Sequence, residues 1–202
     1  MMKMKMKMMA LNNFSARGAV VATALMAMSA ATFAQQAQTL VPAQSEIGFV
    51  SKQMGVPVAG HFTKFAAQVA FDPAKLATSK VSLTIDAGSA TLGVKETDAE
   101  LPKPLWFNVP KFPQATFNST AIKSLGAGKY EVAGKLNIKG ASQDVVVPVT
   151  ITQNGATSTA TGAFAIKRLA FKIGEQEWAD TSMVADEVQV KFKLALTGMP
   201  KI

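Results

Sequence analysis

Apolar and polar side chains alternate with period two through most of residues 45–197. In the last segment Val188, Val190, Phe192, Leu194 and Leu196 share one face, while Gln189, Lys191, Lys193, Ala195 and Thr197 share the other. Such a segment is a strand with one buried and one wet face. Tyr130, Val132, Gly134, Leu136 and Ile138 alternate in the same way with Glu131, Ala133, Lys135, Asn137 and Lys139, as do Val81, Leu83 and Ile85 with Ser82, Thr84 and Asp86. The pattern predicts further strands over 45–53, 57–71, 115–125, 144–153 and 157–167. Between them stand Asp72-Pro73, Gly126-Ala127-Gly128, Lys139-Gly140 and Asn154-Gly155, residues suited to tight turns. Short turns imply antiparallel hairpins. About eight strands, each with one apolar face, close most economically into a barrel or a sandwich.

From Ala90 to Pro113 the alternation stops. Acids and a lysine gather, and Pro102, Pro104, Pro110 and Pro113 follow. Leu92 to Leu101 reads as a short helix and Pro104 to Val109 as a second turn of helix opened by proline. A long connection carrying Trp106 and Phe107 is expected to cover one opening of a barrel as a short helical lid.

The N-terminus places Lys3, Lys5, Lys7 and Arg17 ahead of an apolar run from Gly18 to Ala34 broken only by Thr23, Ser29 and Thr32. A basic region, a short apolar region and the small-residue site Thr32-Phe33-Ala34 make a secretory signal peptide over residues 1–34, leaving a single domain over 35–202. A membrane anchor wants about 20 apolar residues and no cleavage site. The boundary changes the meaning of the charge. The whole chain has 21 basic and 13 acidic side chains, a net +8. The leader removes four cations, so the mature chain carries 17 basic against 13 acidic, or +4, and it also removes eight of the eleven methionines. With no clustered basic stripe left, nucleic-acid binding loses its support.

Composition closes off several chemistries. There is no cysteine and one histidine, so the chain has no disulfide framework, no thiolate nucleophile and no multi-histidine metal site. His61 lies in an extended segment without a Gly-x-Ser-x-Gly nucleophile motif, which favours a structural or ligand-contacting role over a general base. Asp98 and Glu100 would sit about 200° apart on a helix, a poor carboxylate pair, and Asp98 reads better as a polar contact or local cap. The acids Glu175, Glu177, Asp180, Asp186 and Glu187 lack the ligand spacing of a calcium loop; neither a metal nor a cofactor is expected. The aromatic residues, Trp178 among them, have two readings: they fill a core, or they line a cavity kept open by the small residues of Ala59-Gly60, Ala66-Ala67 and Ala156 to Ala165.

Several stretches carry a family resemblance: Ser45-Glu46-Ile47-Gly48-Phe49, Gly55 to Phe62, Phe71-Asp72-Pro73, Val81 to Asp86, Trp106-Phe107-Asn108 with Phe112 to Phe117, Gly134 to Gly140, and Arg168 to Gly174 followed by Glu177-Trp178-Ala179-Asp180-Thr181. In this order they resemble the YceI-like family of periplasmic lipid-binding proteins over nearly all of residues 39–197. Two stretches depart from the family pattern. Ala170 and Lys172 stand where the family usually has an acidic residue and a glycine, and the Lys95 to Leu101 segment lacks the usual Arg-Asp and His-Leu pairs. The resemblance implies an all-β, lipocalin-like antiparallel barrel that sequesters a polyisoprenoid, isoprenoid quinone or similar long amphiphile without turning it over. The candidate ligand contacts are Phe49, His61, Phe62, Trp106, Phe107, Phe117, Phe164, Arg168 and Phe171. His61, Lys64, Lys103 and Arg168 are the polar candidates for the mouth. The expected setting is the periplasm, with no stable membrane insertion, no nucleic acid, and a homodimer as one expected assembly. The rival readings are an outer-membrane barrel, with apolar side chains outward and a polar lumen, and a hydrolase using His61.

Overall fold

Alternation over 45–197 has a direct structural outcome: in the computed structural model, which describes residues 38–202, every strand belongs to one antiparallel sheet. The leader predicted over residues 1–34 lies outside the described residues. The chain opens with β1 (Thr39–Leu40), then β2 (Glu46–Gln53), β3 (Val56–Phe62), β4 (Phe65–Ala70), β5 (Lys80–Asp86) and β6 (Ala90–Thr91). After a long connection come β7 (Gln114–Gly126), β8 (Lys129–Ile138), β9 (Ala141–Asn154), β10 (Thr157–Lys167) and, past a second connection, β11 (Glu187–Thr197).

The pattern predicts about eight strands and the structure has eleven, because the segment expected over 57–71 is divided in two and the short β1 and β6 lie outside the expected strands. Pro42 opens a 3-10 turn between β1 and β2, Thr63-Lys64 breaks the segment predicted over 57–71 into β3 and β4, and a turn over Ala87–Ser89 separates β5 from β6. At that last turn the Asp86 carboxylate accepts the Gly88 N–H at 2.9 Å.

Long hairpins build the sheet from β7 to β11, in the spatial order β5, β7, β8, β9, β10, β11, β2, β3. Lys139 and Gly140 both take positive φ, 49° and 76°, the conformation of a type I′ turn, which matches the twist of the flanking strands. The sheet curls until its ends approach. β1 pairs with β11, and Gln38, just before β1, bridges Val69 of β4. The Gln38 side chain fastens this seam, accepting the Phe71 N–H at 2.6 Å and donating to the Phe71 carbonyl at 3.2 Å.

The connection over 92–113 is less helical than its sequence predicts. A single α-helix, α1 (Lys95–Asp98), is followed by a succession of turns. The four prolines remove donors that a continuing helical ladder needs, and Asn108 takes a φ of 50°.

Candidate functional site

Strand parity decides what the interior is made of. Ile47 and Phe49 of β2, Leu83 of β5, Phe117 of β7 and Phe192 of β11 all face a cavity of about 330 Å³ enclosed by the curled sheet. Several inward residues, including Val81, Leu83, Val149, Val188 and Val190, remain partly accessible although they lie on the interior face. In a filled core they would be fully covered; here they border empty space.

Three inward positions hold glycine, and each lies against an aromatic ring. A Cβ on Gly60 would stand 2.4 Å from Phe49 Cζ, one on Gly134 2.5 Å from Phe117 Cζ, and one on Gly162 2.5 Å from Phe192 Cζ. Phe49 and Phe192 are the direct cross-strand partners of Gly60 and Gly162. The missing side chains let these rings lie along the wall. Of the small residues expected to thin the wall, Gly60, Gly162 and Ala160 stand on the inner face, while Ala59, Ala66 and Ala163 are exposed on the outer face.

At one end the lining changes character. Phe49, Phe62 and Phe107 form a chain of rings with centroid separations of 5.5 and 6.0 Å, and Trp106 meets Trp178 at 5.5 Å. The polar side chains of Ser51, Gln53, Thr97 and Glu100 join them in the wall. Two covering segments, 92–113 and 168–186, are tied together here, since the Leu105 carbonyl accepts both the Gly174 and the Glu175 N–H. At the other end Phe71 and Tyr130 pack edge to face at 5.1 Å.

Arg168 organises the second covering segment. It is 2% exposed, and all five guanidinium donors are engaged. Nε donates to Ala185 O at 3.1 Å, one terminal nitrogen to Ile173 O and Gly174 O at 2.8 and 2.9 Å, the other to Trp178 O and Val184 O at 2.7 Å each. Burial lowers its pKa from the ordinary arginine value while Asp186 opposes that shift; an arginine remains protonated. Lys139, also buried, donates to Lys172 O at 2.6 Å and to Glu175 at 2.9 Å. Lys172, standing where the related pattern usually has glycine, adopts a left-handed φ of 57°, a conformation glycine takes without steric cost.

Asp98 acts as a polar contact: its carboxylate accepts the Thr91 hydroxyl and the Leu92 N–H at 2.5 and 2.6 Å. The Thr91 bond, then the Leu92 bond, and more weakly the charge of His61 hold its pKa below the usual aspartate range against partial desolvation. The acids of 175–187 have separate tasks: Glu175 pairs with Lys139, Asp180 accepts from Ser182, Asp186 accepts from Leu169 N and Glu187 lies 3.7 Å from Lys167. Among the described residues no group of three or more histidine or acidic side chains is placed to hold a metal ion.

Of the nine candidate contacts, Phe49, Phe62, Trp106, Phe107, Phe117, Phe164 and Arg168 line the cavity. Two do not. His61 is exposed on the outer face of β3, because the residues of that strand that enter the wall are Val58 and Phe62, and parity turns His61 away. Phe171 is 1% exposed but packs in the core under its 3-10 turn, outside the cavity wall. Lys64 and Lys103 are exposed, and Lys103 is paired with Glu100. Reading the sequence missed Ser51 and Gln53, although both continue the odd-numbered inward face of Ile47 and Phe49. It also missed Thr97, and it named Trp178 only among the aromatics that fill a core or line a cavity; both reach the wall from the covering segments and carry no periodic signal.

Comparison with known proteins follows the same outline. A family model described as a YceI-like domain matches residues 38–196. A UPF0312 protein of Vibrio vulnificus is 32% identical over 140 residues, covering 67% of this chain and 72% of its own. One from Shewanella baltica is 27% identical over 164 residues, covering 77% and 86%. Among solved structures, Burkholderia cenocepacia BcnA is 52% identical with a TM-score of 0.75, covering 77% of this chain and 98% of that one. A polyisoprenoid binding domain from Saccharophagus degradans is similar in fold at 15% identity, with a TM-score of 0.63 and coverage of 79% and 97%.

Proposed function

The chain belongs to the YceI-like family, and from that membership together with its hollow interior we propose that it is a binding protein for a polyisoprenoid, an isoprenoid quinone or a similar long amphiphile, which it holds without chemical change. The observation that carries this reading is the apolar cavity of about 330 Å³. The Saccharophagus degradans neighbour, described as polyisoprenoid binding, supports the same ligand class. Burying on the order of ten methylene equivalents at ~0.8 kcal/mol each yields about 8 kcal/mol gross. Ordering and immobilising a flexible chain subtracts several kcal/mol, which leaves useful affinity without an ionic contact. In this reading the barrel is lipocalin-like, segment 92–113 is its lid, and one chain supplies the whole wall, so a homodimer is not needed for binding.

The test is solvent extraction and native mass spectrometry of protein purified without detergent, followed by titration with polyprenyl compounds. An extracted amphiphile, or saturable binding of an added one, is the expected result; neither being found would overturn the proposal. The rival readings have less support. Outward positions of β11 carry Gln189, Lys191 and Lys193, the reverse of a lipid-facing barrel wall. His61 on the outer face leaves a hydrolase without its base at the cavity.

We also propose that residues 1–34 direct export to the periplasm and are then removed. Intact-mass measurement on protein from a periplasmic fraction should give a chain starting at Gln35. A cytoplasmic chain retaining Met1 would refute this.

A further inference from the structure

Only two charged side chains line the cavity among the described residues, Glu100 and Arg168. The arginine looks at first like a clamp for an anionic head group, but its five donors are all held by backbone carbonyls. To turn one toward a ligand would strip a buried carbonyl of its partner. Glu100 is itself an anion, and Lys103, which pairs with it at the exposed surface, is not part of the wall. The wall therefore offers an incoming phosphate or carboxylate no unengaged cation, and burying such a charge without a partner is costly.

The same end of the cavity does offer neutral polar groups. Ser51 is the clearest, because its Oγ is buried and has no hydrogen-bond partner among the described residues. A buried hydroxyl without a partner weakens the fold, and this one sits on the inward face of β2, two residues from Gln53 and in the same wall as Thr97. An aliphatic residue would serve the sheet better at this place.

We infer that the ligand carries an uncharged hydrogen-bonding head, an alcohol or carbonyl rather than a phosphate or carboxylate, and that Ser51 bonds to it. This rests on the carrier reading and specifies the chemical class of its ligand. The head group satisfies the Ser51 hydroxyl, while the isoprenoid or alkyl chain follows the aromatic wall inward.

The experiment compares three probes sharing one chain: farnesol, farnesyl phosphate and the hydrocarbon farnesene, titrated into the full mature protein with Trp106 and Trp178 fluorescence as the readout. Farnesol should bind at least about tenfold tighter than farnesyl phosphate. Ser51→Ala should weaken farnesol about three- to tenfold, leave farnesene unchanged, and leave the Tm of the free protein equal or higher. Farnesyl phosphate binding as tightly as farnesol would overturn the inference while leaving the carrier reading intact. So would a Ser51→Ala loss shared equally by farnesol and farnesene, or no loss at all. Failure of all three probes would overturn the carrier reading as well.

Discussion

Arg168 illustrates how a residue recognised in the sequence can have a different task in the fold. A lone arginine among apolar residues suggests an anion contact, yet its side chain closes a loop by bonding five carbonyls that would otherwise be buried without donors. Replacing it with methionine should keep the volume and lose every bond. The expected cost is at least about 3 kcal/mol, since each orphaned buried acceptor costs about 1–3 kcal/mol. Arg168→Lys should recover only part of this, because an ammonium has three donors and no planar fork. Urea titrations of both variants measure it; a loss below about 1 kcal/mol for Arg168→Met would show that the loop does not depend on this residue. Nothing in the sequence could reveal this role, because its partners are main-chain carbonyls of residues 173–185, which have no residue-type signature.

Strands were the most legible elements, and connections the least. Alternation placed the faces of β8 and β11 directly, since a period of two leaves parity no freedom once one face is buried. It failed at the break where Thr63-Lys64 splits the strand expected over 57–71, and in the covering segments, where contacts follow no period. The glycines mark an intermediate case. Gly134 stands visibly in an apolar register in the sequence, but only its neighbour across the sheet explains it: the Phe117 ring occupies the space a side chain would take. The same logic makes Gly162 testable. A Cβ there would come within 2.4 Å of Pro148 O as well as 2.5 Å of Phe192 Cζ, so both a strand and a ring must shift. Gly162→Ala should destabilise the protein by roughly 1–3 kcal/mol and weaken ligand binding as Phe192 swings inward. A thermal melt and a ligand titration on the same preparation decide it, and an unchanged Tm would mean that the wall yields freely at this point.

For the whole molecule, the central feature is an interior that is not filled. In a packed core, enlarging a side chain forces neighbours from their rotamers at about 1–3 kcal/mol. A hollow barrel has no such penalty. Val190 lies across from Phe49 and Phe164 in the adjoining strands and borders the cavity. Val190→Trp should therefore change stability by less than about 1 kcal/mol while reducing the affinity for a polyprenyl ligand about tenfold or more, as the indole takes the space of the chain. Loss of both stability and binding would indicate a filled core at this position.

By itself the sequence determined the class of fold, the strands and which side chains they turn inward, because backbone pleating ties side-chain direction to residue parity. It also carried the ordered stretches that resemble the family. Tertiary structure alone decided which apolar residues border space and which are packed, because that depends on how far the sheet curls and on which rings lie against glycine. It also decided that Arg168 is saturated by backbone carbonyls, and that the Ser51 hydroxyl has no hydrogen-bond partner among the described residues. Each of these depends on neighbours distant in the chain, and only closure of the sheet brings them together.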